Sequence, residues 1–390
     1  MLKKRIAAYI TYNRSVGGSF QYAASLLSAL RQLDPSYFEV RLWCSDPAWK
    51  EIAQSYNIYT IVSQGRLFAR RPVKRIIRLI NKVWRNESIH QFLLNHPLVS
   101  DIAYWRPDVC ISLGQACTYL KNCKIIGPIH DLMHRYEARF PEVGDMNIYS
   151  GREILYSGHC NTASAILVDS EVGKQHVLEI YGPPSEKIHV LPFVISNLGT
   201  AASRPKNLIL DAQKKFLFYP AQMWLHKNHA NLMRAISNLP TSLDVHCVFS
   251  GTTDKNGFQL YQEMLNELNL HERIHHIGYA SDNEILWLYK NARCMIMPSF
   301  FGPTNIPPLE AMHYGCPAAV SDIYGMRERY GDSVLYFNPH RVNEIEECIQ
   351  KLWTDDSLCD DLRKKAKQHE AQWTQKDFEK SFLKIFYSIL

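Results

Sequence analysis

No two of the ten cysteines form a C-x-x-C pair, and no cysteine–histidine set has zinc-finger spacing. Several, such as Cys110 and Cys294, lie inside apolar runs, where a thiol serves as a small core hydrophobe. This pattern suits a reducing compartment and predicts neither a disulfide framework nor a structural metal. No run of 18 apolar residues occurs, so no transmembrane helix is expected. The apolar stretch 6–10 behind the basic residues 3–5 is too short for the core of a secretory signal. The expected location is therefore cytoplasmic, with any membrane contact peripheral. Charged residues make up 21% and hydrophobic ones 46%, which excludes disorder, collagen and coiled coil. A chain of 390 residues exceeds one compact core, so two domains are expected.

Charge is scarce in net terms, only +6, and it is unevenly placed. Eight of the 44 bases and none of the 38 acids fall between residues 66 and 85, so the rest of the chain is slightly acidic. Within that segment Val73, Ile76, Ile77, Ile80, Val83 and Trp84 recur at three- and four-residue spacing. Arg71, Lys74, Arg75, Arg78, Lys82 and Arg85 fill the positions between them. The spacing predicts a basic amphipathic helix. It reads as an ordinary helix with its stripe on the core, as a contact with an anionic membrane face, or as both. No nucleic-acid module is recognisable, so nucleic acid is not an expected partner.

What is present is a repeated strand–helix rhythm. Residues 6–11 form a buried-strand run, Gly17-Gly18 a loop, 21–33 a helical period, and 38–44 a second strand candidate. This is a βαβ unit, which implies a parallel sheet with right-handed crossovers. Strand candidates 108–113, 124–129, 165–168 and 188–191 follow. The polar, proline-containing stretch 196–214 breaks the pattern and is the expected interdomain linker. The rhythm then restarts with strands at 216–221, 245–250, 275–277, 294–297 and 318–321. The expected domains are 1–196, 197–375 and a C-terminal helix, 376–390, packing back on the first. In open α/β sheets ligands bind beyond the carboxyl ends of the strands, so two facing sheets would place a site in the cleft between domains.

The sharpest segment is Pro298-Ser299-Phe300-Phe301-Gly302-Pro303-Thr304-Asn305-Ile306-Pro307-Pro308-Leu309-Glu310-Ala311-Met312. Two prolines suit a first helical turn, whose N–H groups and dipole make an anion site. Glu310 lies just inside that turn, where its carboxylate either caps the helix or accepts from the two hydroxyls of a ribose. Upstream, Lys227 offers a mobile cation at a helix start, suited to a diphosphate, although a lone lysine there is usually just solvated. Gly17 and Gly18 would let backbone approach phosphate with no Cβ in the way. His130 follows a strand, where it could hydrogen-bond a hydroxyl or stabilise a departing phosphate, with Asp131 able to orient its imidazole; the alternative is a purely structural pair.

Together these residues resemble glycosyltransferase family 4. Pro-Ser, the glycine-bearing stretch, Pro-Leu-Glu-Ala-Met and Gly315-x-Pro317 look like its signature, and Tyr219 to His229 is similar to its diphosphate-binding strand–loop–helix. The resemblance spans about residues 5–380, more specifically in the second half. It implies a GT-B-type fold of two Rossmann-like domains. It also implies retaining transfer of a hexose from a nucleotide diphosphate sugar to a saccharide or lipid-linked saccharide, as in polysaccharide synthesis. By the same resemblance Gln222 and Lys227 meet the diphosphate, Glu310 the ribose, and Gly278 and Tyr279 the base. Thr304, Asn305 and Ile306 then face the donor sugar, and His130 contacts it. Two departures stand out. The first glutamate of the family's Glu-x7-Glu pair is here Gly302, and an arginine five residues before the lysine is here Gln222. No cofactor or metal is implied. A nucleotide-sugar 2-epimerase-like enzyme and an inactive nucleotide-sugar-binding scaffold remain as alternatives.

Overall fold

The computed structural model describes residues 2–12, 17–63, 96–116, 118–195, 199, 201–302 and 304–390. The basic segment with Arg71, Lys74, Arg75, Arg78, Lys82 and Trp84 lies outside them. The chain divides into two units: Met1–Leu132, Met146–Val194 and Gln375–Leu390 form the first, and Met133–Asp145 and Ile195–Thr374 the second. The segment Met133–Asp145, which reads in sequence as part of the first half, thus belongs to the second unit.

In the first unit seven strands run parallel: β1 (Lys4–Ile10), β2 (Phe38–Cys44), β3 (Tyr59–Val62), β4 (Val109–Ser112), β5 (Lys124–Pro128), β6 (Ala165–Val168) and β7 (Ile188–Val190). Their order is β3-β2-β1-β4-β5-β6-β7. Central strands covered on both faces read as unbroken apolar runs, and Ile6 to Ile10 are all buried. Edge strand β3 is short and half exposed, which is why its sequence does not announce it. The helix Gly17–Leu30 begins four residues before its apolar periodicity does, so Gly17 and Gly18 form its first turn and not a loop. The C-terminal helix Gln375–Ser388 packs on it, and buried Glu379 accepts from the Ser28 hydroxyl and from the Gln32 and Gln375 amides.

In the second unit six parallel strands are ordered β10-β9-β8-β11-β12-β13. They are β8 (Phe216–Pro220), β9 (His246–Ser250), β10 (Ile274–His276), β11 (Cys294–Met297), β12 (Ala318–Ser321) and β13 (Leu335–Phe337). Local sequence chemistry sets the helix ends. A capping box of Ser281 and Glu284 opens Asp282–Asn291, and Asp254 caps Lys255–Glu267. The described part of the expected linker is docked on this unit. Ser203 N–H donates to Asn283 O at 3.1 Å, and Arg204 lies 5.4 Å from the Trp287 ring centre. Among the described residues no helix is long and apolar enough to cross a membrane.

Candidate functional site

Each sheet reverses its strand order at one point, the place where open α/β sheets generally bind their ligands. In the second unit that point lies between β8 and β11. The residue pattern after β8 builds a short turn, Leu225–Lys227, then Asn228 in the left-handed conformation (φ 58°), then the helix His229–Asn238. Asparagine tolerates this φ, and its amide donates to the carbonyls of Pro298 (2.9 Å) and Pro339 (3.0 Å). Buried Tyr219 donates to Lys227 O (2.8 Å) and lies 3.0 Å from the Ser299 hydroxyl. Phe300 N–H donates to His226 O at 2.8 Å. The Leu225–Asn228 turn and the loop after β11 are therefore joined at the switch point by polar bonds.

His229 opens the helix with its ring 4.9 Å from both Tyr219 and Phe249. Burial, with Lys227 nearby, holds its imidazole down to about 3, so it is neutral at pH 7. Its Nε2 is buried with no hydrogen-bond partner among the described residues. The Gln222 side-chain oxygen is likewise buried and unpartnered there.

Beyond Ser299 the loop is shaped by backbone conformation. Gly302 has φ 122° and Asn305 φ 51°. Asn305 Nδ2 donates to Gly302 O at 2.9 Å, and a Cβ on Gly302 would lie 2.4 Å from Asn305 Oδ1. Tyr330, fully buried, directs its hydroxyl at Thr304 O (2.7 Å) and Asn305 O (2.6 Å). Thr304 and Ile306 are buried. Pro307 and Pro308 start the helix Pro307–His313. Glu310 is only 7% exposed, and its Oε2 accepts from the Tyr289 hydroxyl at 2.9 Å. Burial and the Glu310 charge push the Tyr289 phenol far up, so it stays a donor. Gly278, at φ 70°, accepts from Gly251 N–H at 2.8 Å, and Tyr279 is 67% exposed.

In the first unit the switch point lies between β1 and β4, and Tyr12 crosses it. Its hydroxyl donates to Ser19 O at 2.6 Å and reaches Leu113 O at 3.3 Å. A Cβ on Gly114 would lie 2.3 Å from the Tyr12 ring, so a larger residue there would have to displace it. The first turn of Gly17–Leu30 opens beside this point. His130 follows β5 inside an aromatic box, 4.9 Å from the Tyr22 ring and 5.5 Å from Phe193. Burial holds its imidazole down to about 4 against the nearby Asp131 charge. Asp131, expected to orient that ring, has Oδ1 held by Arg152 Nη1 at 2.6 Å. That pair is charge-assisted, and the Asp131 charge also acts on the His130 ring. Among the described residues no group of three or more His, Cys, Asp or Glu could hold a metal ion.

Sequence reading missed Tyr289 and Tyr330, and gave Tyr219 and Asn228 no role of their own within the segment it singled out. The polar atoms of Asn228, Tyr289 and Tyr330 act on backbone or carboxylates some twenty to seventy residues away, and no local pattern marks them. Comparison with known proteins bears on the second unit first. Residues 201–369 match the family model of glycosyl transferases, group 1. O-antigen chain mannosyltransferase B of Escherichia coli is 28% identical over 250 residues, covering 59% of this chain and 65% of that one. O-antigen chain mannosyltransferase RfbU of Salmonella typhimurium is 27% identical over 224 residues, covering 57% and 59%. The chain thus matches less than two thirds of either relative's length. Anabaena HepE, solved in complex with UDP-glucose, superposes with a TM-score of 0.72 over 98% of this chain and 99% of its own, at 13% identity. The fold is therefore of the GT-B type, two Rossmann-like α/β units. Lys227, Asn305 and Glu310 lie in the part that matches the group 1 model.

Proposed function

We propose that this protein is a retaining hexosyltransferase of the family 4 kind. It moves a hexose, mannose by analogy with the relatives, from a nucleotide diphosphate sugar to a saccharide or lipid-linked saccharide in polysaccharide synthesis. The observation that carries this is the β8/β11 switch point, where the Lys227 turn and the Ser299–Gly302 loop are bonded together. Lys227 and the N-terminal dipole of His229–Asn238 meet the diphosphate, with Gln222 contributing a neutral hydrogen bond. The charge is met by these groups, so no metal is required in this scheme. Glu310 accepts from the ribose, and Gly278 and Tyr279 flank the base. Gly302 leaves no carboxylate at the sugar, and Asn305 takes its place there, beside Thr304 and Ile306.

In the first unit Gly17 and Gly18 offer backbone N–H groups, and neutral His130 hydrogen-bonds a sugar hydroxyl. Retention follows a front-face course in which the departing phosphate helps to deprotonate the acceptor. The protein works in the cytoplasm, held at the inner membrane face by the basic segment 66–85. The test is incubation with labelled UDP-, GDP- and ADP-sugars and saccharide or lipid-linked acceptors, with the anomeric configuration of the product read by NMR. Absence of both transfer and hydrolysis with every donor sinks the proposal. Gly302 and Gln222 favour one second reading, an inactive nucleotide-sugar-binding scaffold, which binding without turnover would support. Conversion of a donor with no acceptor present would instead indicate an epimerase.

A further inference from the structure

The segment Met133–Asp145 leaves the first unit's chain to join the second unit, and it does so through a specific set of contacts. Its short helix Pro141–Gly144 carries Glu142. Glu142 Oε1 accepts from Leu225 N–H, the first donor of the turn that holds Lys227, and lies 3.6 Å from His226 Nδ1. No side chain of that turn caps it, so Leu225 N–H depends on this carboxylate. His226 is buried and stacks on Phe301 at 3.9 Å between centroids and 12° between planes. Phe140 stacks on Phe300 (5.3 Å, 25°) and meets Phe301 edge-on at 5.6 Å. The Arg139 guanidinium lies 4.9 Å from the Phe140 ring centre and 5.5 Å from that of Phe300. Glu137 pairs with Arg139 at 3.0 Å and accepts from Tyr324 at 2.8 Å. Tyr324 sits at φ 43°, a backbone state that a bulky residue keeps only when its surroundings hold it.

Burial works against the charge on Glu142. The nearby His226 ring and the Leu225 N–H outweigh that and keep the carboxyl below its ordinary value. A half-buried carboxylate kept ionised in this way, one bond from the Lys227 turn, has a use beyond packing. Loop 299–302 rests on the same segment through Phe140. We propose that Glu142 is a positioning residue: it fixes the Leu225–Lys227 turn so that Lys227 faces the donor diphosphate. This rests on the transferase reading above.

The experiment is calorimetric titration of the full chain with UDP, GDP and ADP, together with donor KM and kcat. Glu142→Ala is expected to raise Kd and donor KM about tenfold or more, as loss of one charge-assisted bond predicts, with kcat far less changed. Glu142→Gln keeps an oxygen for Leu225 N–H and is expected to restore affinity to within about threefold of wild type. Glu142→Asp keeps the charge but withdraws it by one methylene, and is expected to follow alanine. It serves as the deciding variant should alanine fail to fold. Wild-type affinity in Glu142→Asp or Glu142→Ala, or a kcat loss with unchanged KM, overturns this inference alone. A wild-type protein that binds none of the three nucleotides overturns the transferase reading, and this inference with it.

Discussion

Asn305 folds its amide over Gly302, donating from Nδ2 to Gly302 O at 2.9 Å and filling the space a side chain there would need. Position 302 is where the resembling family places a glutamate. Restoring it here meets two obstacles, a backbone at φ 122° and an amide oxygen 2.4 Å from the new Cβ. Gly302→Glu is expected to destabilise the second unit by about 1–3 kcal/mol and to lower transfer, not raise it. Thermal denaturation beside turnover measures both. A stable variant with faster transfer would show that this loop is not committed to Asn305.

Lys227 and Glu310 separate by the part of the donor each meets. Lys227→Ala is expected to weaken nucleoside diphosphate binding about tenfold or more and the matching nucleoside hardly at all, because only the former carries the anion. Glu310→Gln can still accept from Tyr289, so the fold is expected to hold while the charge-assisted ribose bonds weaken. Both nucleoside and diphosphate should then bind several-fold more weakly. Titration calorimetry with uridine, guanosine, UDP and GDP distinguishes the two; identical effects of the two substitutions would refute the assignment.

The first unit is expected to lose stability in mild acid. Burial holds both His130 and His159 down to about 4 in the folded chain, below the ordinary 6.5. The unfolded chain therefore binds the extra protons between those values. Stability from each histidine is complete above pH 6.5 and is lost as pH falls toward 4, by up to about 1.4 kcal/mol per pH unit each. Denaturation midpoints followed from pH 7 to 5 should fall, and His130→Gln should flatten the dependence by about one proton. A midpoint that stays level, or an unaltered slope in the variant, contradicts this.

The basic segment is tested apart from the fold. Replacing Arg75, Arg78 and Lys82 together by glutamate is expected to abolish co-sedimentation with vesicles containing anionic lipid, since each base near such a surface contributes about 1 kcal/mol. Transfer to a short water-soluble acceptor should persist. Equal sedimentation of wild type and variant would return the segment to ordinary core packing.

Buried central strands and their following helices were legible, because a strand covered on both faces must be a continuous apolar run and a covered helix must repeat at 3.6 residues. Edge strands β3 and β13 were not, being short and partly exposed. The turn before the helix His229–Asn238 and the helix start at Pro307 were legible because helix starts and turns impose local residue choices. Glu142 was not, since the N–H it holds lies 83 residues away.

The sequence by itself determined two α/β halves built of parallel strands and one segment of concentrated positive charge. These follow from periodicity, turn chemistry and counting, which act over a few residues. Only the tertiary structure decided that Met133–Asp145 serves the second unit, that Asn305 closes over Gly302, that Arg152 pairs with Asp131, and that Tyr289 holds Glu310. Each of these depends on groups brought together from distant parts of the chain, and their energies exist only once the sheets have formed and excluded water from around them.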